Sequence, residues 1–498
     1  FSKKNISPVQ KEYTKTASYD ALGNKITETD YNGRTTNYYY DDLNRVIKKE
    51  LPEGEYVLSD GSKSITRPKI KYEYDDANNL IDKTEPRGNT TTTPDPDYTT
   101  EYRYNELNQL IKKIDPNNNI SRIYYNATGQ KIKIEDPSGN TTNIYYDPSG
   151  NKKAVKDGEG NVSYFNYNFL SQKLNEYDPR GVVSVNDNPD NITGEQITID
   201  NTDYILDENY QTQFEYDTLG RRIKTIDPLG NKTITQYDKV GNKTRIIKNN
   251  QTTDYEYDTN FYFKDKTIKN KGMATERIIS YEHDYYGNIT SKTDPRGKTT
   301  TYDYTFELLR KTTRPDNSIQ EYDYDGQGNK TYYQDGAGRE TEYEYNGYDK
   351  LKKVREGANT LKEAKTSYQY DLSGNLVQKD MPNGLKMNFE YNNLGQLVTE
   401  KKSNEVNSVI YDTIEYRYDS NGNQKLKADT NSIREYIYNN NNQIVKIRYY
   451  QPTEVLDDIE AGIVTPQKVV SYEYDKAGNK TSVITKTINE NNATTVTT

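Results

Sequence analysis

The stretch FEYDTLGRRIKTIDPLGNKTITQYDKVGNKT, residues 214–244, states one phrase twice. Tyr216-Asp217 opens a run that closes on Gly220-Arg221, and 21 residues later Tyr237-Asp238 opens another that closes on Gly241-Asn242. Midway lies a second mark, Asp227-Pro228-Leu229-Gly230. Each mark has the residues of a tight turn, and the residues between alternate apolar and polar, as side chains do on the two faces of a strand. The phrase therefore reads as a β-hairpin followed by a second turn into the next hairpin.

Followed outward, the phrase recurs along the chain. Its first mark is centred on Asp20, Asp41, Asp75, Asn105, Asn126, Asp147, Asn168, Asp217, Asp238, Asp258, Asp284, Thr305, Asp325, Asn346, Asp371, Asn392, Asp419, Asn439 and Asp475. Of the eighteen intervals among these nineteen markers, eleven are 20 or 21 residues, and the residue before the marker is Tyr in every copy but His283. The second mark keeps an offset of ten: Asp115, Asp136, Asp178, Asp227 and Asp294 are each followed by Pro, while Glu85-Pro86, Asp157-Gly158 and Asp335-Gly336 vary the theme. Ten or eleven residues per half, less four or five for turning, leave strands of about 5–7 residues, the usual length.

The marker is Asp twelve times, Asn six times and Thr once. Asn and Thr can replace Asp in a side-chain-to-backbone turn bond but cannot carry its charge, and a metal ligand or general base would not accept that exchange so freely, so the position reads as structural. Three residues on comes Gly in eleven copies and Asn in four, the residues that best tolerate positive φ. In the second turn, Pro presets φ, Asp bonds the backbone and Gly closes the reversal. Representative turn and ladder residues are Tyr19, Asp20 and Gly23; Tyr146, Asp147 and Gly150; Tyr216, Asp217 and Gly220; and Tyr237, Asp238 and Gly241. Tyr324, Asp325 and Gly328, Tyr370, Asp371 and Gly374, and Tyr474, Asp475 and Gly478 complete that set. Stacking the hairpins is expected to set the tyrosine of each copy beside that of the next, about 4.8 Å away, in a continuous aromatic ladder with His283 as one rung.

Composition agrees with an ordered β protein built on tyrosine. Only 31% of the 498 residues are hydrophobic, which by itself suggests disorder, yet 50 are Tyr, each able to bury a ring while keeping its hydroxyl bonded. The net charge of −9 comes from 67 basic and 76 acidic residues, interspersed, with no basic stripe for nucleic acid and no polybasic membrane patch. No apolar run approaches the roughly 20 residues of a membrane helix, so no membrane insertion by this segment is expected. There is no Cys, one His, no phosphate-binding loop and no His pair for zinc, so no catalytic, cofactor-binding or metal-ligating residues are identified and no cofactor is expected. The absence of Cys excludes disulfides and fits export; the first residue is Phe with no signal peptide, so a mature or excised fragment is expected.

The expected organisation is an N-terminal flank at 1–12, an array at 13–485 and a loose, Thr- and Asn-rich tail at 486–498. Insertions near 51–71, 90–100, 182–212 and 452–470, rich in Asp, Asn, Pro and Thr, are expected as loops on one face. Helical periodicity is absent.

Y-x-Y-D-x-x-G-N on a 21-residue rhythm resembles the YD (RHS) repeat of Rhs proteins, Tc-toxin shell components, WapA-type wall proteins and teneurins; Tyr472-Glu473-Tyr474-Asp475 with Gly478-Asn479 is a close copy. The resemblance covers about Tyr13 to Thr485. It implies an all-β fold of tandem hairpins joined edge to edge into a long curved or spiralling sheet, forming part or all of a hollow shell. In bacterial members it implies a shell that encloses a C-terminal toxin polypeptide of the same chain. About 38 strands at 4.8 Å make a ribbon of roughly 180 Å, enough to surround space if it curves. Neither the plug with an aspartyl self-cleaving site nor a toxin region is read after Asp475, so the chain is expected to be part of a longer protein, secreted or at the bacterial cell surface. The leading expectation is thus a non-enzymatic shell segment. The alternative is an adhesin gripping a glycan or receptor through exposed tyrosines and insertion loops.

Overall fold

The structure, a computed structural model, describes residues 14–58, 60–90, 95–187, 192, 194–249, 251–258, 262–270, 277–358, 360, 362–404, 409–488 and 494–497. The flank at 1–12 lies outside them.

The quoted stretch folds as one hairpin and the start of the next. Gln211–Tyr216 and Arg222–Ile226 run antiparallel, with Phe214 opposite Thr225 and Glu215 opposite Lys224. The second strand then pairs on its other edge with Lys232–Tyr237, through Lys224↔Ile234 and Ile226↔Lys232. Along Gln211–Tyr216 the outer half alternates, with Gln213 and Glu215 exposed and Phe214 and Tyr216 half-buried. Repetition of this unit gives one antiparallel sheet of 39 strands among the described residues, near the 38 that nineteen hairpins require. Strands adjacent in sequence are adjacent in the sheet except where an insertion is bypassed: Val46–Glu50 pairs with Lys69–Tyr74, and Lys173–Tyr177 with Gln211–Tyr216.

Three insertions expected as loops carry ordered structure. Residues 51–71 contain the hairpin Gly54–Val57 and Lys63–Thr66. Residues 182–212 fold into a three-stranded sheet of Val182–Ser184, Gln196–Ile199 and Thr202–Leu206. Its Val182, Ile197, Ile199, Tyr204 and Leu206 pack on Ala154, Val162, Tyr164 and Tyr177 of the main sheet, making a two-layer core. Residues 452–470 hold the α-helix Leu456–Glu460, although no helical period marks the sequence. A single turn is not stable alone; Ile459, packed on Leu426, Ile433 and Tyr450, anchors it. The tail is not wholly loose either, because Thr494–Thr497 pairs with Lys480–Ile488.

The chain divides into two compact units, each made of two separate stretches. Unit 1 comprises Phe1–Asn118 and Tyr302–Thr413; unit 2 comprises Asn119–Thr301 and Ile414–Thr498. Both buried apolar clusters described above lie in unit 2.

Candidate functional site

In the turn at Asp217, Gly220 N–H donates to Asp217 O and Asp217 N–H to Arg221 O. Asp217 Oδ1 accepts the N–H groups of Leu219 and Arg221, at 3.0 and 2.9 Å, so the marker carboxylate satisfies donors that the ladder leaves open at the tip. Gly220 has φ +80°, and Gly23, Gly150, Gly241, Gly328, Gly374 and Gly478 lie between +82° and +105°. Where the third residue is not Gly, the same conformation falls on Asn44, Asn78, Asn108 and Asn442, and also on Ser171 and Asp349. The twist of the hairpin demands a left-handed residue here, whatever side chain sits on it. Thr305 departs from the pattern: it ends its strand, and the chain reverses over two residues with Phe306 at φ +57°.

The second turns use the same device; Gly230 has φ +77° and an added Cβ would meet nothing within 4 Å. Gly230→Val should therefore cost about 1–2 kcal/mol through backbone strain alone. Chemical denaturation checks this, and a variant as stable as the parent would show the strain to be absent.

The residue four after each marker completes the turn, and the sequence reading missed its rule. With an Asp marker it is a donor: Asn24, Asn79 and Asn151 give Nδ2–H to the Oδ2 of Asp20, Asp75 and Asp147, and Arg45 and Arg221 give Nε–H to Asp41 and Asp217. With five of the six Asn markers it is Gln, and the polarity reverses: Asn105, Asn126, Asn168, Asn392 and Asn439 donate to the Oε1 of Gln109, Gln130, Gln172, Gln396 and Gln443, while Asn346 is followed by Lys350. The pairing was legible as Asp…Asn/Arg against Asn…Gln at a fixed spacing of four. The same side chain then reaches the next turn. Asn24 donates to Asn44 Oδ1, Arg221 to Asp238 O and Gln130 to Gly150 O. Asp217→Asn should turn the amide NH2 toward Arg221 Nε, donor against donor, and cost about 1–3 kcal/mol. Adding Arg221→Gln recreates the Asn168–Gln172 pair and should recover at least half. Additive losses in that double-mutant cycle would reject the pairing rule.

The tyrosines do not form the expected ladder. A given position recurs only on alternate strands, roughly 10 Å apart at twice the strand spacing, too far for neighbouring markers to stack. The phenols instead cross to backbone. Tyr146 donates to Lys131 O, Tyr216 to Lys173 O, Tyr237 to Arg222 O, Tyr370 to Leu351 O and Tyr474 to Ile444 O. Each acceptor lies five residues after the preceding marker, just past its turn. Pairing between hairpins stops short of that carbonyl; Lys224↔Ile234 is the last pair before Arg222. The hydroxyl therefore supplies the bond that the ladder no longer makes. Arg310 lies over the Tyr324 ring at 5.5 Å, Tyr19 is exposed on the first strand, and His283 stacks on Tyr262 with centroids 5.5 Å apart.

The turns also form two rims, and within each unit turns far apart in sequence meet. In unit 1, Asn32 Nδ2 donates to Asp325 Oδ2 at 3.0 Å, and Gly326 N–H donates to Asn32 Oδ1 at 2.9 Å. Arg34 donates to Asn346 O and Asp349 Oδ1. Arg87 donates to Asn392 O at 2.7 Å, with its Nε 3.7 Å from Asp371 Oδ2. In unit 2, Asn421 Nδ2 donates to Asp136 Oδ2 and Ser138 N–H to Asn421 Oδ1. Asn441 donates to Asp157 Oδ2, and Arg180 lies 3.3 Å from Asp475 Oδ2. Every such contact sets a second turn of an early hairpin against a first turn 281–315 residues later. Gly158 explains itself here, because a Cβ would stand 2.4 Å from Asn440 O. Of the representative turn residues, Asp325, Asp371 and Asp475 are thus at the seams. The arginines and asparagines opposite them were not singled out by sequence, although Arg in the third place of Glu85-Pro86-Arg87-Gly88 and Asp178-Pro179-Arg180-Gly181 was a visible signal.

In unit 1 the inserted hairpin joins the seam: Val57 bridges Asp371, and Tyr56, 1% exposed, packs 5.0 Å from Tyr348. Burial pushes the Tyr56 hydroxyl up to about 12. At the turns the shift is opposite. Amide bonds from Asn24, Asn79, Asn231 and Asn288 hold the carboxyls of Asp20, Asp75, Asp227 and Asp284 below the usual aspartate value. An acid whose folded pKa is depressed contributes stability above its unfolded pKa and loses it as pH falls through the folded one. The tips at Asp20, Asp75, Asp227 and Asp284 should therefore loosen below about pH 4, while those marked by Asn do not titrate. Hydrogen exchange on acidification should expose the amides of Leu22 and Asn24 before those of Leu107 and Gln109; simultaneous loss would contradict it.

Among the described residues, no three His, Cys, Asp or Glu are grouped to hold a metal, and no helix is long and apolar enough to cross a membrane. Within each unit, turns of one rim are hydrogen-bonded to turns of the other.

A family model described as the RHS repeat matches residues 19–56 and 74–120. No curated protein sequence matches the chain. Among solved structures, a crystal structure of TcdB2-TccC3-TEV is similar over 91% of this chain, with TM-score 0.70 and 14% identity. The Photorhabdus luminescens Tc holotoxin pore is similar over 97%, with TM-score 0.69 and 14% identity, and TcdB2-TccC3 over 97%, with TM-score 0.67 and 14% identity. The chain spans 26%, 26% and 27% of those chains, respectively. At this identity the likeness is one of fold.

Proposed function

We propose that this chain, matched by an RHS-repeat model over residues 19–56 and 74–120 and sharing the fold of the Tc-toxin chains, is a wall segment in a secreted bacterial shell, sheltering a toxin polypeptide carried C-terminal to it. The observation that carries this reading is the rim-to-rim adhesion within each unit, because a ribbon whose successive passes seal against each other makes a continuous barrier. The repeated side chains are consumed in turns, bridges and seams, which supports a wall rather than an enzyme. The cargo would be enclosed by the wall and need no recognition site in any one repeat. The test uses the full-length product. Limited proteolysis followed by mass spectrometry should leave the C-terminal polypeptide intact while the shell is closed. Digestion at the rate of the free polypeptide would overturn the proposal.

A second reading rests on one observation. Tyr285 and Tyr286 stand exposed at a hairpin tip, edge to face with centroids 5.6 Å apart. Such a pair could stack on a sugar at a cell surface, and a glycan array blank for the parent chain would remove that reading.

A further inference from the structure

Four asparagines are followed by glycine: Asn32-Gly33, Asn346-Gly347, Asn383-Gly384 and Asn421-Gly422. A glycine in the next place leaves the asparagine amide open to attack by the glycine nitrogen, because no Cβ hinders the approach. Two of these asparagines cross a seam with their side chains. Asn32 Nδ2 donates to Asp325 Oδ2 while its Oδ1 accepts from Gly326. Asn421 Nδ2 donates to Asp136 Oδ2 while its Oδ1 accepts from Ser138. Two separate demands meet at these positions. The turn takes glycine for its positive φ, +77° at Gly33 and +84° at Gly422, and the seam takes an amide that donates to a carboxylate and accepts from backbone at once.

Asn383 occupies the same kind of turn without a seam. Gly384 also has φ +77°, and its N–H donates to Met381 O at 3.0 Å, as Gly33 N–H does to Asp30 O at 2.9 Å. The attacking nitrogen is therefore held alike in both. Only the side chains differ. Asn383 is exposed and, among the described contacts, accepts only from Leu385 of its own turn. Asn32 is fixed at both ends of its amide by residues 293 and 294 positions away.

We propose that Asn32 and Asn421 are deamidation sites guarded by the seams they make, so that a seam kept open becomes one that cannot close again. With the seam shut, carrying Cγ to the glycine nitrogen breaks two hydrogen bonds. With it open, Gly33 N bonds to Asn32 Cγ, the Cγ–Nδ2 bond breaks, and ammonia leaves with the glycine proton. Water then opens the cyclic imide to Asp or to isoAsp. Either product sets a carboxylate where the amide had donated to Asp325 Oδ2, so like charges face each other across the seam and the acceptor loses its donor. IsoAsp also lengthens the turn backbone by a methylene. The same chemistry at Asn421 opposes Asp136. None of this rests on the proposed shelter of a cargo.

The test is to age the folded chain in mildly alkaline buffer and map its peptides by mass spectrometry with separation of Asp from isoAsp. Asn383 should convert first, and Asn32 and Asn421 at least about tenfold more slowly, a ratio set by the small open fraction of each seam. In the urea-unfolded chain all three should convert at similar rates. Asp325→Ala should bring Asn32 toward the rate of Asn383 and leave Asn421, in the other unit, as it was. Asn32→Asp installs one of the two products; exchange at the Gly326 amide should then rise at least about tenfold, and further than in the uncharged Asn32→Ala variant. Equal rates at the three sites in the folded chain would show that no seam guards them, and an inert Asn383 would assign the protection to the turn. An Asn32 rate unmoved by Asp325→Ala, or a Gly326 amide as protected in Asn32→Asp as in the parent, would likewise overturn the proposal.

Discussion

Leu206→Ala is expected to lower the unfolding free energy of unit 2 by about 3–4 kcal/mol, the range for a fully buried leucine whose site cannot collapse. Leu206 is 1% exposed and closes the core between the three-stranded insertion and the main sheet, against Val182, Ile197, Tyr164 and Tyr177. Both layers are held by backbone ladders, so neither can move inward to fill the space. Urea denaturation followed by tyrosine fluorescence checks the magnitude. The location of the damage is the sharper test, since hydrogen exchange should rise in Val162–Tyr167 and Lys173–Tyr177 as well as in the insertion. A loss under 1 kcal/mol, or one confined to residues 182–206, would show the insertion to be an appendage that adds nothing to the stability of the main sheet.

Arg87→Ala is expected to cost about 3 kcal/mol and to part the seam of unit 1. The guanidinium is shielded from water, lies over the Tyr98 ring at 4.9 Å, donates to Asn392 O and faces the Asp371 carboxylate, itself largely buried. Truncation leaves that carboxylate without its counter-charge in a place that water reaches poorly. Arg87→Lys should recover only part of the loss, because an ammonium keeps the charge but not the fork that spans both turns. Exchange at the amides of Leu394 and Gln396 should rise in both variants, more in the alanine one. If those amides stay protected while global stability falls, Arg87 stabilises its own turn and does not seal the rims.

The hairpins and their turns were legible because their causes are local. An aspartate, a residue at positive φ and a strand of alternating character all act within about five residues, and chemistry at that range leaves its mark in the sequence. The donor–acceptor exchange at the fourth position, Asp20 with Asn24 against Asn105 with Gln109, was equally local and was there to be read. The tyrosine ladder failed for a geometric reason: the strand between two markers doubles their spacing, and Tyr237 therefore reaches for Arg222 O rather than for Tyr216. The insertions failed because their composition is that of loops. Val182, Ile197, Tyr204 and Leu206 are too few to announce a core until the main sheet supplies the other half.

What the sequence by itself determined is the unit and its repetition: short antiparallel strands, two kinds of turn, and an order along the sheet that follows the order along the chain. Only the tertiary structure decided which rim meets which, that Asn32 finds Asp325 and Asn421 finds Asp136, and why Gly158 stands where other turns have proline. Partners 281–315 residues apart are chosen by a small bend and twist accumulated over many strands, and no single repeat contains enough of that curvature to encode it.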